Sequence, residues 1–217
     1  MDNRKITNAI HFYMIATKLK DIIRSGWKQW NINRERIESV AEHVYGTCIL
    51  AIAMDSEFEF DLNLEKSIMM IVLHELEEVI IGDLTPLDNV SREEKRIKGE
   101  EAIKEVLSTL TKKDNYIELL KEFEEEKTFE AKFAKMCDKL ECDLQIKLYC
   151  EEGTVDLYSK DNKHWLEMER IRNRIATEGA DTLADLFIGN DRRFFEETES
   201  FKEMLEFIKE NELLKLK

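Results

Sequence analysis

Proline is nearly absent and glycine is scarce: the 217-residue chain has one proline and seven glycines. Strand-rich folds turn often, and turns draw on both residues. Their shortage argues against a sandwich or a barrel, while abundant Glu, Lys, Leu and Ile argue for long helices. Long hydrophobic runs are missing too. No stretch of about 18 apolar residues occurs, so no membrane span is expected. The opening residues, MDNRKITNAIHFYMIATKLKDIIRSG, carry charges throughout and do not read as a signal peptide. A dense Lys/Arg patch is lacking and the net charge is −14, so no nucleic-acid partner is expected. Cys48, Cys137, Cys142 and Cys150 form no CxxC pair. Reduced thiols and a cytoplasmic location follow as expectations.

What is present is an ordinary globular balance, 43% hydrophobic and 37% charged. An acidic chain still accommodates a small phosphorylated substrate, because a bound cation inverts the local charge. Apolar spacing predicts a helix over 5–24, with Ile6, Ile10, Tyr13 and Met14 on one face and Gly26 ending it. A connection over 27–33 carries Trp27 and Trp30. Further helices are predicted over 35–54 and, after an N-cap-like Asn63, over 64–79. Gly82 to Pro86 marks a turn. Ser91 and Glu94 read as a capping box for a helix to about 110. Helices over 114–126 and 130–150 follow, then two or three more within 165–214. No repeat or linker interrupts this order. The reading is all-α, a single-domain helical bundle over 1–217. In the C-terminal helices, 181–217, Phe194, Phe195, Phe201, Leu205 and Ile208 form an amphipathic face that packs on the domain or makes a dimer contact.

His74 and Glu75 stand near the end of the most apolar helix, followed by Glu77, Glu78 and Asp83. Ionisable groups rarely crowd beside a buried run unless something satisfies them. His43 lies in ESVAEHVYG and Asp138 in AKMCDKLEC. Taken singly, each reads equally well as a satisfied polar residue or a solvated helix face. Taken together, two imidazoles and two carboxylates suit a borderline transition metal, and drawing them from three helices suits a bundle-core site.

That order resembles the HD-domain phosphohydrolases. RSGWKQWNI, RIESVAEHVYG, LHELEEVIIGDLTPLDNVSREEK and AKFAKMCDKLECDLQ resemble the family's 5′-deoxynucleotidase branch over about 8–180. The resemblance implies a helical bundle of the HD-domain type and His43, His74, Glu75 and Asp138 as ligands of one divalent transition metal (Mn, Co, Ni, Fe, Zn or Cu). It further implies Glu78 as the group that holds and activates the attacking water, and Asp83 as an acid near the sugar or nucleophile. Arg24 and Trp27 fall in the segment implied to bind substrate. The implied substrate is a deoxynucleoside 5′-monophosphate, and the implied assembly is a homodimer. Two positions depart from the family pattern. The His-Asp pair is His-Glu here, with one more methylene on the acid. Trp30 replaces a basic residue, leaving Arg24, Lys28, Arg34 or Arg36 to meet the phosphate. Within the family, another nucleotide phosphate ester is the alternative substrate; outside it, the alternative is a helical module that binds metal and nucleotide with little turnover.

Overall fold

The computed structural model describes residues 3–85, 88 and 90–216. Pro86, expected to close the glycine turn, lies outside the described residues. Among the described residues no strand forms, and the β pairing seen is an isolated antiparallel bridge between Ile23 and Ser39. The fold is all-α, as the shortage of Pro and Gly predicts. No described helix is long and apolar enough to cross a membrane. The chain divides into two compact units, one from Met1–Gly26 and Glu38–Lys135, the other from Trp27–Ile37 and Met136–Lys217.

In the first unit, α1 (Asn3–Ala16) is shorter than its periodicity predicts and passes into a 3-10 turn at Thr17–Lys20. Ile6, Ile10, Tyr13 and Met14 remain exposed, while Phe12, Ile15 and Ala16 lean on the core. A short α2 (Ser25–Gln29) stands where a connection was expected. The next helix, α3 (Val40–Phe58), starts later than predicted. Its start is fixed by a full capping box, in which Ser39 and Glu42 bond to each other's backbone N–H. Just before it, the Val40 N–H donates to the Ile22 carbonyl at 2.8 Å and the Arg24 N–H to the Glu38 carbonyl at 3.0 Å. That pairing keeps the chain extended up to Ser39.

Asn63 caps α4 (Leu64–Leu73) by accepting from the Lys66 N–H, as expected. α4 stops at Leu73, short of the predicted end, and α5 (Glu78–Ile81) is a separate short turn. Between them the backbone tightens to i→i+3 bonds, such as Glu78 N–H to the Glu75 carbonyl at 3.0 Å. α6 (Arg92–Val106) and α7 (Lys113–Glu125) follow. Only half of the expected box at α6 forms: Ser91 accepts from the Glu94 N–H, while the Glu94 carboxylate pairs with Lys98 at 2.7 Å. Leu19, Val40, Leu73, Leu76, Ile103, Val106, Leu107 and Leu120 make this unit's core.

α8 (Phe129–Glu151) carries the chain on. In the second unit it is joined by α9 (Lys163–Leu166), α10 (Glu169–Glu178), α11 (Leu183–Asp191) and α12 (Glu199–Glu210). The C-terminal amphipathic face packs inward here: Phe195, Phe201, Leu205 and Ile208 are at most 1% exposed, while Phe194 stays 39% exposed. Phe195 and Phe201 stack at 5.8 Å.

Candidate metal and catalytic site

His43 sits one turn into α3 and is fully buried. Its place follows from the Ser39 cap and the Ile22–Val40 bond, which fix where the helix begins. His74 stands at the end of α4, where its Nδ1 lies 2.7 Å from the Ile71 carbonyl. A carbonyl only accepts, so Nδ1 carries a proton and Nε2 is the nitrogen left to face Glu75 or a metal. The His74 ring packs against Phe123 at 5.2 Å and lies 6.0 Å from the His43 ring.

Both imidazoles face one carboxylate oxygen. Glu75 Oε1 is 3.4 Å from His74 Nε2 and 3.8 Å from His43 Nε2. The ligand atoms that these three residues offer lie within 4.8 Å of one another. Burial would raise the Glu75 pKa, but the charge and hydrogen bond of His74, with Arg24 and His43, outweigh it and hold the carboxyl below the usual carboxylate range. Two imidazole nitrogens beside an ionised carboxylate form a donor set that fits a borderline divalent transition metal.

Arg24 also belongs to this cluster. Its Nη1 lies 3.2 Å from Glu75 Oε1, with both side chains largely buried. Asp83 holds the same segment from the other side, its Oδ2 accepting the Ser25 N–H at 2.6 Å. Gly82, at φ +75°, makes the turn that brings Asp83 back.

Glu78 is 2% exposed, and its Oε2 has no hydrogen-bond partner. Burial first, then the charges of Glu75 and Asp83, push its pKa up to about 10. Burial and Glu75 push Glu77 up to about 7. These shifts make the metal-free protein sensitive to pH. An acid whose folded pKa is raised holds a proton that the unfolded chain has lost, so stability falls as pH rises between the two values. Glu75, shifted downward, adds stability that is fully present above its unfolded pKa and is lost only as pH falls below it. The chelator-treated protein should therefore lose on the order of 5 kcal/mol between pH 6 and pH 8.5. Thermal melts at the two pH values check this, and a midpoint that rises with pH would contradict it.

The remaining site expectations fall in the second unit. Asp138 is buried in α8, and its Oδ2 is 2.8 Å from Lys139 Nζ. Trp27 is 2% exposed and packs edge-on against Tyr149 at 5.7 Å and tilted against Phe187 at 5.8 Å. A ring enclosed by core aromatics has a packing role here. Trp30 is likewise buried and meets Trp165 at 6.0 Å. Of the basic residues considered for the phosphate, Arg34 is 3.6 Å from Glu152 and lies over the Tyr149 ring. The reading of the sequence missed Lys139 and the buried acids Asp143 and Asp191. The i, i+4 spacing of Lys139 and Asp143 was a signal for the first two; nothing local announced Asp191.

Residues 16–180 match a family model described as HD domain. The protein named 5′-deoxynucleotidase HDDC2 of Bos taurus is 35% identical over 152 residues, covering 69% of this chain and 71% of that protein. The protein named 5′-deoxynucleotidase hdd1 of Schizosaccharomyces pombe is 33% identical over 155 residues, covering 69% of this chain and 76% of that one. Among solved structures, a conserved hypothetical protein from Pyrococcus furiosus aligns with TM-score 0.64 and 23% identity, covering 93% of this chain and 99% of that one. An HD-domain phosphohydrolase from Listeria innocua aligns with TM-score 0.55 and 20% identity, covering 94% and 93%. At such identities the structures speak for the fold alone, and the sequence matches carry the family. The chain belongs to the HD-domain family, in the branch of the proteins named 5′-deoxynucleotidase.

Proposed function

We propose that this protein is a metal-dependent 5′-deoxynucleotidase that releases phosphate from deoxynucleoside 5′-monophosphates. The observation that carries this reading is the convergence of His43 and His74 on the Glu75 carboxylate, in a chain whose relatives bear that activity in their names. Asp138 is proposed as the fourth ligand, from its match to the family motif, with both units taken as parts of one HD-type domain. A divalent metal bound there would polarise a water and offset the negative charge of the phosphate.

The chain's own residues supply the rest. Glu78 takes the proton from the attacking water. Its elevated pKa belongs to the metal-free state, and a divalent cation beside it favours the carboxylate form. Arg24 receives a phosphate oxygen, and its neighbour's backbone is held by Asp83. Asp83 thereby acts on the loop as well as on the sugar side of the site. Arg24 pairs with Glu75 without substrate, so phosphate binding exchanges one anion partner for another.

The test is a phosphate-release panel with added Mn or Co: dAMP, dGMP and dTMP beside ribonucleotides, triphosphates and cyclic nucleotides. Release is expected from the deoxymonophosphates ahead of the others. No release with any divalent metal would refute the reading. The Arg24–Glu75 pair favours one second reading, a module that binds metal and nucleotide without turnover. Stoichiometric metal with bound nucleotide and no phosphate would establish it.

A homodimer in a reducing cytoplasm completes the proposal. All four cysteines are thiols. The exposed face of α3 carries Tyr45, Ile49 and Ile52 and no charge among them, a surface on which two acidic copies could meet. Light scattering should give twice the chain mass, and a monomer at micromolar concentration would remove this part.

A further inference from the structure

We propose that Lys139 is a positioning residue: it fixes the rotation of the Asp138 carboxylate. The inference rests on the reading of Asp138 as a metal ligand and adds how that ligand is aimed.

Adjacent residues on a helix point in different directions, so Asp138 and Lys139 do not face each other by default. Yet Lys139 Nζ comes back to Asp138 Oδ2 at 2.8 Å. A lysine normally extends its ammonium to water. Here the Lys139 side chain is 35% exposed and the Asp138 side chain 11%.

One turn along α8, Asp143 is fully buried, and neither of its carboxylate oxygens has a hydrogen-bond partner. At the end of α11, Asp191 is 6% exposed and bonded to the Asn190 side chain. Burial pushes the pKa of both acids up, the charge of Lys139 works against that, and Asp138 and Asp191 favour the ammonium form of Lys139. Two acids in an enclosed place are costly to ionise without a cation nearby.

The consequence lies at Asp138. With Oδ2 held, the carboxylate cannot spin freely, so the direction of its other oxygen is set. Partners that orient a ligand in this way typically contribute about 10–100-fold to metal affinity.

The experiment measures Mn2+ binding to metal-stripped full-length protein by calorimetry. Lys139→Met should weaken binding by about 10–100-fold while helical circular dichroism is kept. Lys139→Arg should restore most of the loss. Asp191→Asn should weaken binding in the same direction, by less. Wild-type affinity in folded Lys139→Met overturns the proposal. Should that variant not fold, Asp191→Asn decides, and unchanged affinity there overturns it. His74→Ala separates this idea from the one beneath it. If His74→Ala binds Mn2+ like the wild type, the metal-centre reading itself has failed.

Discussion

Replacing His74 by alanine should strip the protein of metal and lower phosphate release from dAMP by at least about a thousandfold. The imidazole is not one donor among interchangeable ones. Its Nδ1–H is committed to the Ile71 carbonyl, which sets both the tautomer and the ring plane. Its Nε2 faces the Glu75 carboxylate at 3.4 Å, opposite the His43 ring. Among the groups that meet here, Arg24 is a cation and cannot replace a lost ligand. Removing the ring leaves a gap beside Phe123, so some stability is lost, yet the helices do not depend on it. Elemental analysis beside initial rates checks the result. A variant that keeps both metal and rate would show that the site lies elsewhere.

Glu78→Gln should behave differently: metal retained, turnover reduced by about 10²–10⁴-fold. The amide matches the carboxyl in size and fills the same buried place. It cannot accept a proton, which is the step assigned to Glu78. Metal content and single-turnover phosphate release on one sample separate the two outcomes. If Glu78→Gln loses metal as completely as His74→Ala, then Glu78 is a ligand and the general base must be sought elsewhere. The same variant bears on stability. It removes the largest of the raised carboxyl pKa values in the cluster, so the metal-free protein should lose much of its destabilisation at alkaline pH.

Local signals were legible where a few neighbouring residues decide the outcome. The Asn63 cap, the extent of α7 and the extent of α8 came from spacing and caps within one or two turns. The start of α3 was misplaced although Ser39 and Glu42 spell its box, because apolar Ile37 seemed to continue the helix backwards. The pairing of residues 22–24 with 38–40 overrules that pattern, and it is not local. The break after Leu73 was hidden for another reason. The apolar run continues without Pro or Gly, yet the backbone tightens to i→i+3 bonds after Leu73. The packing of Trp27 was not legible because its partners Tyr149 and Phe187 lie far along the chain.

The sequence by itself determined that the chain is helical and that imidazoles and carboxylates stand in the HD-type order. Propensity depends on residue type and near neighbours, and so does a motif. Tertiary structure alone decided what surrounds those residues. Arg24 reaches Glu75 across 51 positions, and Asp83 reaches Ser25 across 58. Proton affinity depends on burial and on charges brought from such distances, so the raised pKa of Glu78 could not be read along the chain. The residues of the candidate metal site were written in the sequence; their electrostatics were made by folding.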